Sequence, residues 1–236
     1  MNNIENSADR RIITLRNTTK NFGTLMALND VSLSIKEGEE VTIMGPSGSG
    51  KTTLINLIAG LEMPTSGSIT VNGIELNSLK QEGLAEFRRD NIGIVFQQFH
   101  LIPYLTAVEN IMLAQYFHGL PDKEDAMNTL EIVGLKDRAR HLPSELSGGE
   151  QQRVAIARAI ANEPSIILAD EPTGNLDEEN EQTVLSIFRQ LKDEGKTLIL
   201  VTHNADISAG SDAIIRLEHG RIKQPTTPIE ALKETG

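Results

Sequence analysis

Residues 45–53, Gly45-Pro46-Ser47-Gly48-Ser49-Gly50-Lys51-Thr52-Thr53, have the spacing of a phosphate-binding loop: three glycines, then a lysine and two hydroxyls. Glycines let the backbone curl until successive N–H groups face one anion, and a helix start adds the positive end of its dipole. Lys51 would then place a point charge on the β- and γ-phosphates of a nucleoside triphosphate, and the Thr52 hydroxyl would bind Mg²⁺. The pattern carries that meaning only between a strand and a helix. Both are predicted. Residues 41–44 are apolar and β-branched, and Leu54, Leu57, Ile58 and Leu61 recur at helical spacing before Pro64.

A second set of reactive groups closes the apolar run 166–169, which ends in Asp170-Glu171 and then Pro172. Ligands of open α/β sheets gather at the carboxyl ends of strands, so these acids belong beside the phosphate loop. Asp170 suits the magnesium shell and Glu171 the polarisation of an attacking water. Taken alone, two acids after an apolar run are what a solvated strand end also shows. The third set is Leu146-Ser147-Gly148-Gly149-Glu150-Gln151-Gln152-Arg153, ahead of a helix carrying Val154, Ile156, Ala157 and Ile160. A serine and two glycines at a helix start make another anion cradle, although a merely capped helix reads the same way locally. Two half-sites for one triphosphate suggest that two chains share it.

These groups need a scaffold, and the rest of the chain predicts an α/β sheet. Strands are expected at 12–15, 31–35, 69–71, 92–96, 166–169 and 197–201, the early ones antiparallel. From about Gln98 to Glu163 the strand signal gives way to helical stretches at 107–117, 123–133 and 150–161, read as an inserted helical lobe. Five of the eight aromatics, Phe96, Phe99, Tyr104, Tyr116 and Phe117, fall within 96–117. Tyr116 and Phe117 are expected in the core of that lobe. Residues 97–104 mix loop composition with large apolar side chains and suggest a groove for a partner.

Composition excludes several functions. With 236 residues, one ordinary domain with a substantial core is expected. Twenty-two basic against 33 acidic residues, a net charge of −11, oppose the phosphate neutralisation that nucleic-acid binding needs. The absence of cysteine removes disulfides, thiolate metal sites and a thiol nucleophile, and suits the cytosol. No apolar run approaches the roughly 18 residues of a membrane span, and residues 1–6 lack a leader pattern. His100, His118, His141 and His219 have no metal-ligand spacing.

In chain order, the phosphate loop, Gln97 after Ile94-Val95-Phe96, the stretch 146–151, the acidic strand end, Gly174-Asn175-Leu176-Asp177 and Val201-Thr202-His203 resemble the motif series of ATP-binding-cassette (ABC) ATPases. The resemblance covers nearly the whole chain. It implies a P-loop NTPase fold with a mixed sheet, an antiparallel β subdomain and a helical lobe. Within a single domain 1–236, residues 1–97 and 164–236 would form the RecA-like core with the β subdomain, and 98–163 the helical subdomain.

The resemblance also implies hydrolysis of MgATP at a site shared by two cassettes. Ser147, Gly148, Gly149 and Glu150 of one chain would meet the γ-phosphate held by Lys51 of the other, and Asp177 would cross the interface. Gln97 would join the magnesium and water shell, and His203 would hold the γ-phosphate, the water and Glu171 in line. Phe22, in the polar stretch 18–23, stands where the family stacks an aromatic on the adenine, against the plainer reading that it packs a strand end.

Residues 101–107 and 172–177 resemble the cassettes of lipoprotein-release, macrolide-export and cell-division systems. That likeness implies a motor on the inner face of the cell membrane, attached to an integral membrane permease. A sugar-importer cassette is disfavoured because no long regulatory stretch follows Arg221, and a chromosome-maintenance ATPase because no coiled coil interrupts 51–146. The competing reading is a soluble ABC ATPase of iron-sulfur cluster assembly. The stretch 151–159 resembles transporter cassettes instead.

Overall fold

The computed structural model of the protein describes residues 10–223. Residues 1–6 and the outer ends of the 1–97 and 164–236 ranges lie partly or wholly outside them. The chain opens with strands β1 (Arg11–Phe22), β2 (Leu25–Lys36) and β3 (Glu40–Met44), then helix α1 (Lys51–Ile58). Strands β4 (Ser66–Val71) and β5 (Ile74–Glu75), helix α2 (Gln81–Asn91) and strand β6 (Ile92–Val95) follow. Next come helices α3 (Ala107–His118), α4 (Lys123–Ile132) and α5 (Gly148–Ile160), with short 3-10 turns between α4 and α5. The described chain ends with β7 (Ile166–Asp170), α6 (Glu178–Asp193), β8 (Thr197–Val201), α7 (Ala205–Ser208), β9 (Ala213–Glu218) and β10 (Arg221–Lys223).

Two sheets result. One is antiparallel, with order β2-β1-β4-β5; the other runs β10-β9-β3-β8-β7-β6 and is parallel except for β10. The fold is the mixed-sheet α/β arrangement expected from the sequence. β7 and β8 are apolar on both faces because both faces are covered. Ile166, Leu168, Ile199 and Val201 pack with α1 and the antiparallel sheet, whereas Ile167, Ala169, Leu198 and Leu200 pack with α3, α4, α5 and α6. The period-2 alternation of the strands thus joins two apolar cores through one sheet.

Between β6 and β7 the described chain is helical. Thr106 caps α3 in a reciprocal pair with Glu109, and Asp122 caps α4. β1 and β2 run to 12 residues each, longer than expected, because their polar positions face outward along a hairpin whose inner face is apolar. α1 stops at Ile58, since Gly60 turns the chain at φ 63, and Leu61 is left outside the helix and exposed. α2 presents only Leu84, Phe87 and Asn91 to the interior, too thin a stripe to be read from sequence.

The expectation for Tyr116 and Phe117 is overturned. They are 65% and 66% exposed and meet each other edge to face, because α3 buries Ala107, Val108, Asn110, Ile111 and Gln115 instead.

Candidate active site

Four parallel strands deliver their carboxyl ends to one place. β3 leads into the glycine loop, β7 ends at Asp170, β8 is followed by His203 after Thr202, and β6 by Gln97 after Phe96. The resulting cavity, about 610 Å³, is lined by Gly45, Pro46, Ser47, Gly48, Gly50, Lys51, Thr52, Thr53, Gln97, Asp170, Glu171 and His203. Phe22, Leu25, Met26 and Ala27 close its other wall. Residues more than 180 positions apart thereby share one site.

The loop geometry explains its glycines. Gly45 has φ 156, and a Cβ there would stand 2.0 Å from the Leu217 carbonyl oxygen; Gly50 has φ 103, and its Cβ would stand 2.5 Å from the Ala27 carbonyl oxygen. Neither position admits a side chain. Gly50 precedes the first turn of α1, where no side chain caps the helix and no acid stands. Its leading N–H groups are therefore left for a ligand. The Lys51 ammonium folds back over the loop and donates to the carbonyls of Gly45 (2.8 Å) and Pro46 (3.1 Å). Ser49 is buried, outside the lining, and its backbone ties the loop to Gly220.

Opposite the loop, the Thr52 hydroxyl donates to Asp170 Oδ2 at 2.8 Å. Burial pushes the Asp170 carboxyl above the usual aspartate value; the Thr52 hydrogen bond opposes that shift, Glu171 adds to it and Lys51 opposes it. Glu171 adopts φ 49 immediately before a proline, a conformation costing on the order of 1–3 kcal/mol. Its N–H is fixed by the Val201 carbonyl (2.9 Å), and both its carboxylate oxygens lie 3.0 Å from His203 Nδ1. The carboxylate is largely sheltered, whereas the His203 ring is 78% exposed. Gln97 is exposed, and its carbonyl accepts from Asn175 Nδ2 at 3.2 Å.

The second glycine-led helix start is elsewhere. Ser147, Gly148, Gly149, Glu150 and Asp177 are not part of the Lys51 cavity. Ser147 caps α5, receiving the Glu150 N–H at 3.2 Å, while the Glu150 carboxylate accepts from the Ser147 N–H (2.8 Å) and pairs with Arg138 (3.0 Å). Gly149 packs against α6 so closely that a Cβ would stand 1.9 Å from Asn180 Oδ1. Asp177 caps α6 through the N–H of Asn180.

Sequence reasoning missed Leu25, Met26 and Ala27 of the cavity wall, and the part played by Gln152. Leu25 and Met26 are exposed apolar residues of a hairpin, a feature without periodic signal. Gln152 is fully buried and donates from Nε2 to the Pro172 carbonyl at 2.7 Å, linking α5 to the loop after Glu171. Its signal was there to be read: a glutamine on the apolar stripe of α5.

The sequence model of the ABC transporter family matches residues 28–174. The chain is 44% identical over 215 residues to the lipoprotein-releasing system ATP-binding protein LolD of Bacteroides fragilis, spanning 89% of this chain and 100% of that one. It is 48% identical over 206 residues to the macrolide export ATP-binding/permease protein MacB of Rhodopirellula baltica, spanning 85% of this chain and 30% of that longer protein. Among solved structures it is similar to the ATP-binding cassette MJ0796 of Methanocaldococcus jannaschii, in a dimeric post-hydrolysis state bound to ADP and Pi. There the TM-score is 0.84 at 44% identity, covering 90% of this chain and 97% of that one.

Proposed function

This chain belongs to the ABC transporter family as an ATP-hydrolysing subunit, and on that premise we propose that it binds MgATP between two copies of itself and drives an integral membrane permease. The observation that carries the reading is the convergence of Lys51, Thr52, Asp170, Glu171 and His203 on one cavity. Lys51 and the uncapped α1 N-terminus would take the β- and γ-phosphates. Glu171, held at 3.0 Å from His203 Nδ1, would accept a proton from the attacking water, with His203 fixing the carboxylate's direction. Phe22 would carry the adenine.

The donors at the phosphate end suit magnesium. The Thr52 hydroxyl, the Asp170 carboxylate and the Gln97 amide oxygen are hard ligands, and Mg²⁺ is commonly held by one or two protein oxygens together with waters and substrate phosphates. When bound, the ion neutralises charge on the β/γ-phosphates.

Ser147, Gly148 and Gly149 lie outside their own chain's cavity, which favours a head-to-tail pair in which each α5 start, with Asp177 beside it, covers the partner's nucleotide. Glu150 would hold Ser147 in place rather than touch phosphate. The helical segment 98–163 would move against the core as Gln97 follows the γ-phosphate.

For the permease, the supporting feature is apolar exposure around the helical segment: Tyr104 is 88% exposed, Phe117 66% and Leu120 94%. Leu101, by contrast, packs into the helical core, and Arg158 holds the carbonyls of Phe99 and His100. Tyr104 and Phe117 are therefore the residues to probe. No helix among the described residues is long and apolar enough to cross a membrane, so attachment to the inner membrane face would come through the permease.

Two measurements test this. Glu171→Gln is expected to keep ATP affinity while turnover falls about 10²- to 10⁴-fold, the range for a lost general base. Turnover near the parent rate would remove Glu171 from the reaction. Tyr104→Glu with Phe117→Glu should retain basal hydrolysis and lose capture of the permease expressed with it; undiminished capture would place the docking face elsewhere.

A further inference from the structure

We propose that Lys20 is a positioning residue that fixes the Phe22 ring relative to the phosphate loop, setting the span between base and phosphates of a bound nucleotide. This rests on the reading of Phe22 as the adenine platform. The Lys20 ammonium lies 4.7 Å from the centroid of the Phe22 ring, on one of its two faces. A cation there is attracted by the ring quadrupole and holds the ring's tilt, leaving the opposite face for a base. Phe22 needs such help, being 45% exposed at the end of β1 and paired across the hairpin only with Leu25.

The lysine is itself anchored. Its side chain is 13% exposed, and it donates to Glu62 Oε2 (2.7 Å) and to the Met63 carbonyl (2.9 Å). Glu62 lies four residues beyond the end of α1, and its N–H, like that of Leu61, is bonded back to the Asn56 carbonyl inside that helix. A continuous path therefore runs from the ring through Lys20 and Glu62 to α1, whose other end carries Lys51 and Thr52. One cation ties the base wall of the cavity to the helix that holds its phosphate wall.

A ligand with phosphates but no base separates this role from general support of the fold. We expect Lys20→Met to raise the Kd for ADP roughly three- to tenfold, the range of a partly buried cation–π contact, while the Kd for inorganic pyrophosphate stays within about twofold. Steady-state hydrolysis should show a raised KM for ATP at an unchanged kcat. Lys20→Arg keeps the cation and should recover most of the ADP affinity. Unchanged ADP affinity in Lys20→Met, or equal weakening of ADP and pyrophosphate, overturns the proposal. Phe22→Ala, titrated alongside, tells which statement has failed. If it also fails to separate ADP from pyrophosphate, the platform reading falls and the proposal with it. If it separates them and Lys20→Met does not, only the role of Lys20 falls.

Discussion

Two helices of this protein start on glycine-rich turns, and they use those turns in opposite ways. At α1, Gly50 occupies the left-handed region, no side chain caps the helix and the first turn holds no acid. At α5, Ser147 and Glu150 satisfy each other's N–H groups, and the carboxylate at the helix start is the chain's own. The first start leaves its donors and dipole for a ligand; the second has already spent part of both internally. A helix N-terminus thus becomes an anion holder through what is left out of it. A self-capped start with Ser147 and Gly148 exposed suits a surface that would cover an anion another chain holds.

The contrast is broken most severely by exchanging the two behaviours. Lys51→Ala should weaken ATP binding to the isolated chain by tenfold or more, since a hydrogen bond to a charged group is worth about 1.5–3 kcal/mol. Ser147→Arg should leave that affinity within about twofold, yet abolish dimer formation by a Glu171→Gln chain with ATP, because it fills the covering surface. Calorimetric titration and light scattering read the two effects. A dimer that survives Ser147→Arg would mean that α5 is only a capped helix.

Gly149→Ala sharpens the comparison at intermediate size. A Cβ at that position has no room beside Asn180, whose side chain bonds Asp177 and Arg153, so α5 must move away from α6 or Asn180 must turn out. A loss of about 1–3 kcal/mol in unfolding free energy is expected, as for other overpacked sites. An unchanged denaturation midpoint would show that Asn180 yields freely. By contrast, nothing stands within 4 Å of a Cβ added at Gly48, whose constraint is its φ of 76.

How far such features could be read in advance follows from the distance over which each arises. The glycine loop is contiguous and its pattern local, so residues 45–53 announced the strand before them and the helix after them. Asp170, Glu171 and His203 were legible because parallel strands end on one side of a sheet. The cavity's apolar wall was not, since Leu25 and Met26 acquire a role only when the hairpin folds over Gly50, where Ala27 makes the close approach from 23 positions away. Tyr116 and Phe117 misled because α3 has only a weak apolar stripe, so hydrophobicity alone did not say which side faces inward. Gln152 stood out as a glutamine on the apolar stripe of α5, but its partner, the Pro172 carbonyl 20 residues away, could not be read.

The smallest expected effect separates the two helix starts by pH. The Glu150 carboxyl is held below the usual glutamate range, first by the Ser147 N–H and further by Arg138. A carboxyl depressed in the folded state contributes stability that is fully present above its unfolded value, near 4.3, and is lost as pH falls through the lower folded value. Glu150→Gln keeps the reach of the side chain and removes the charge, and since the pair with Arg138 is surface-lying the cost near neutrality is a few tenths of a kcal/mol. The difference between parent and variant in denaturant midpoint should therefore hold from neutrality to about pH 5, then shrink as the solution becomes more acidic. At α1 there is no acid in the first turn to titrate. A difference that stays constant through the acidic range would show that Glu150 acts at α5 by shape and hydrogen bonding alone, and that the charge of the capping carboxylate does not set the two helix starts apart.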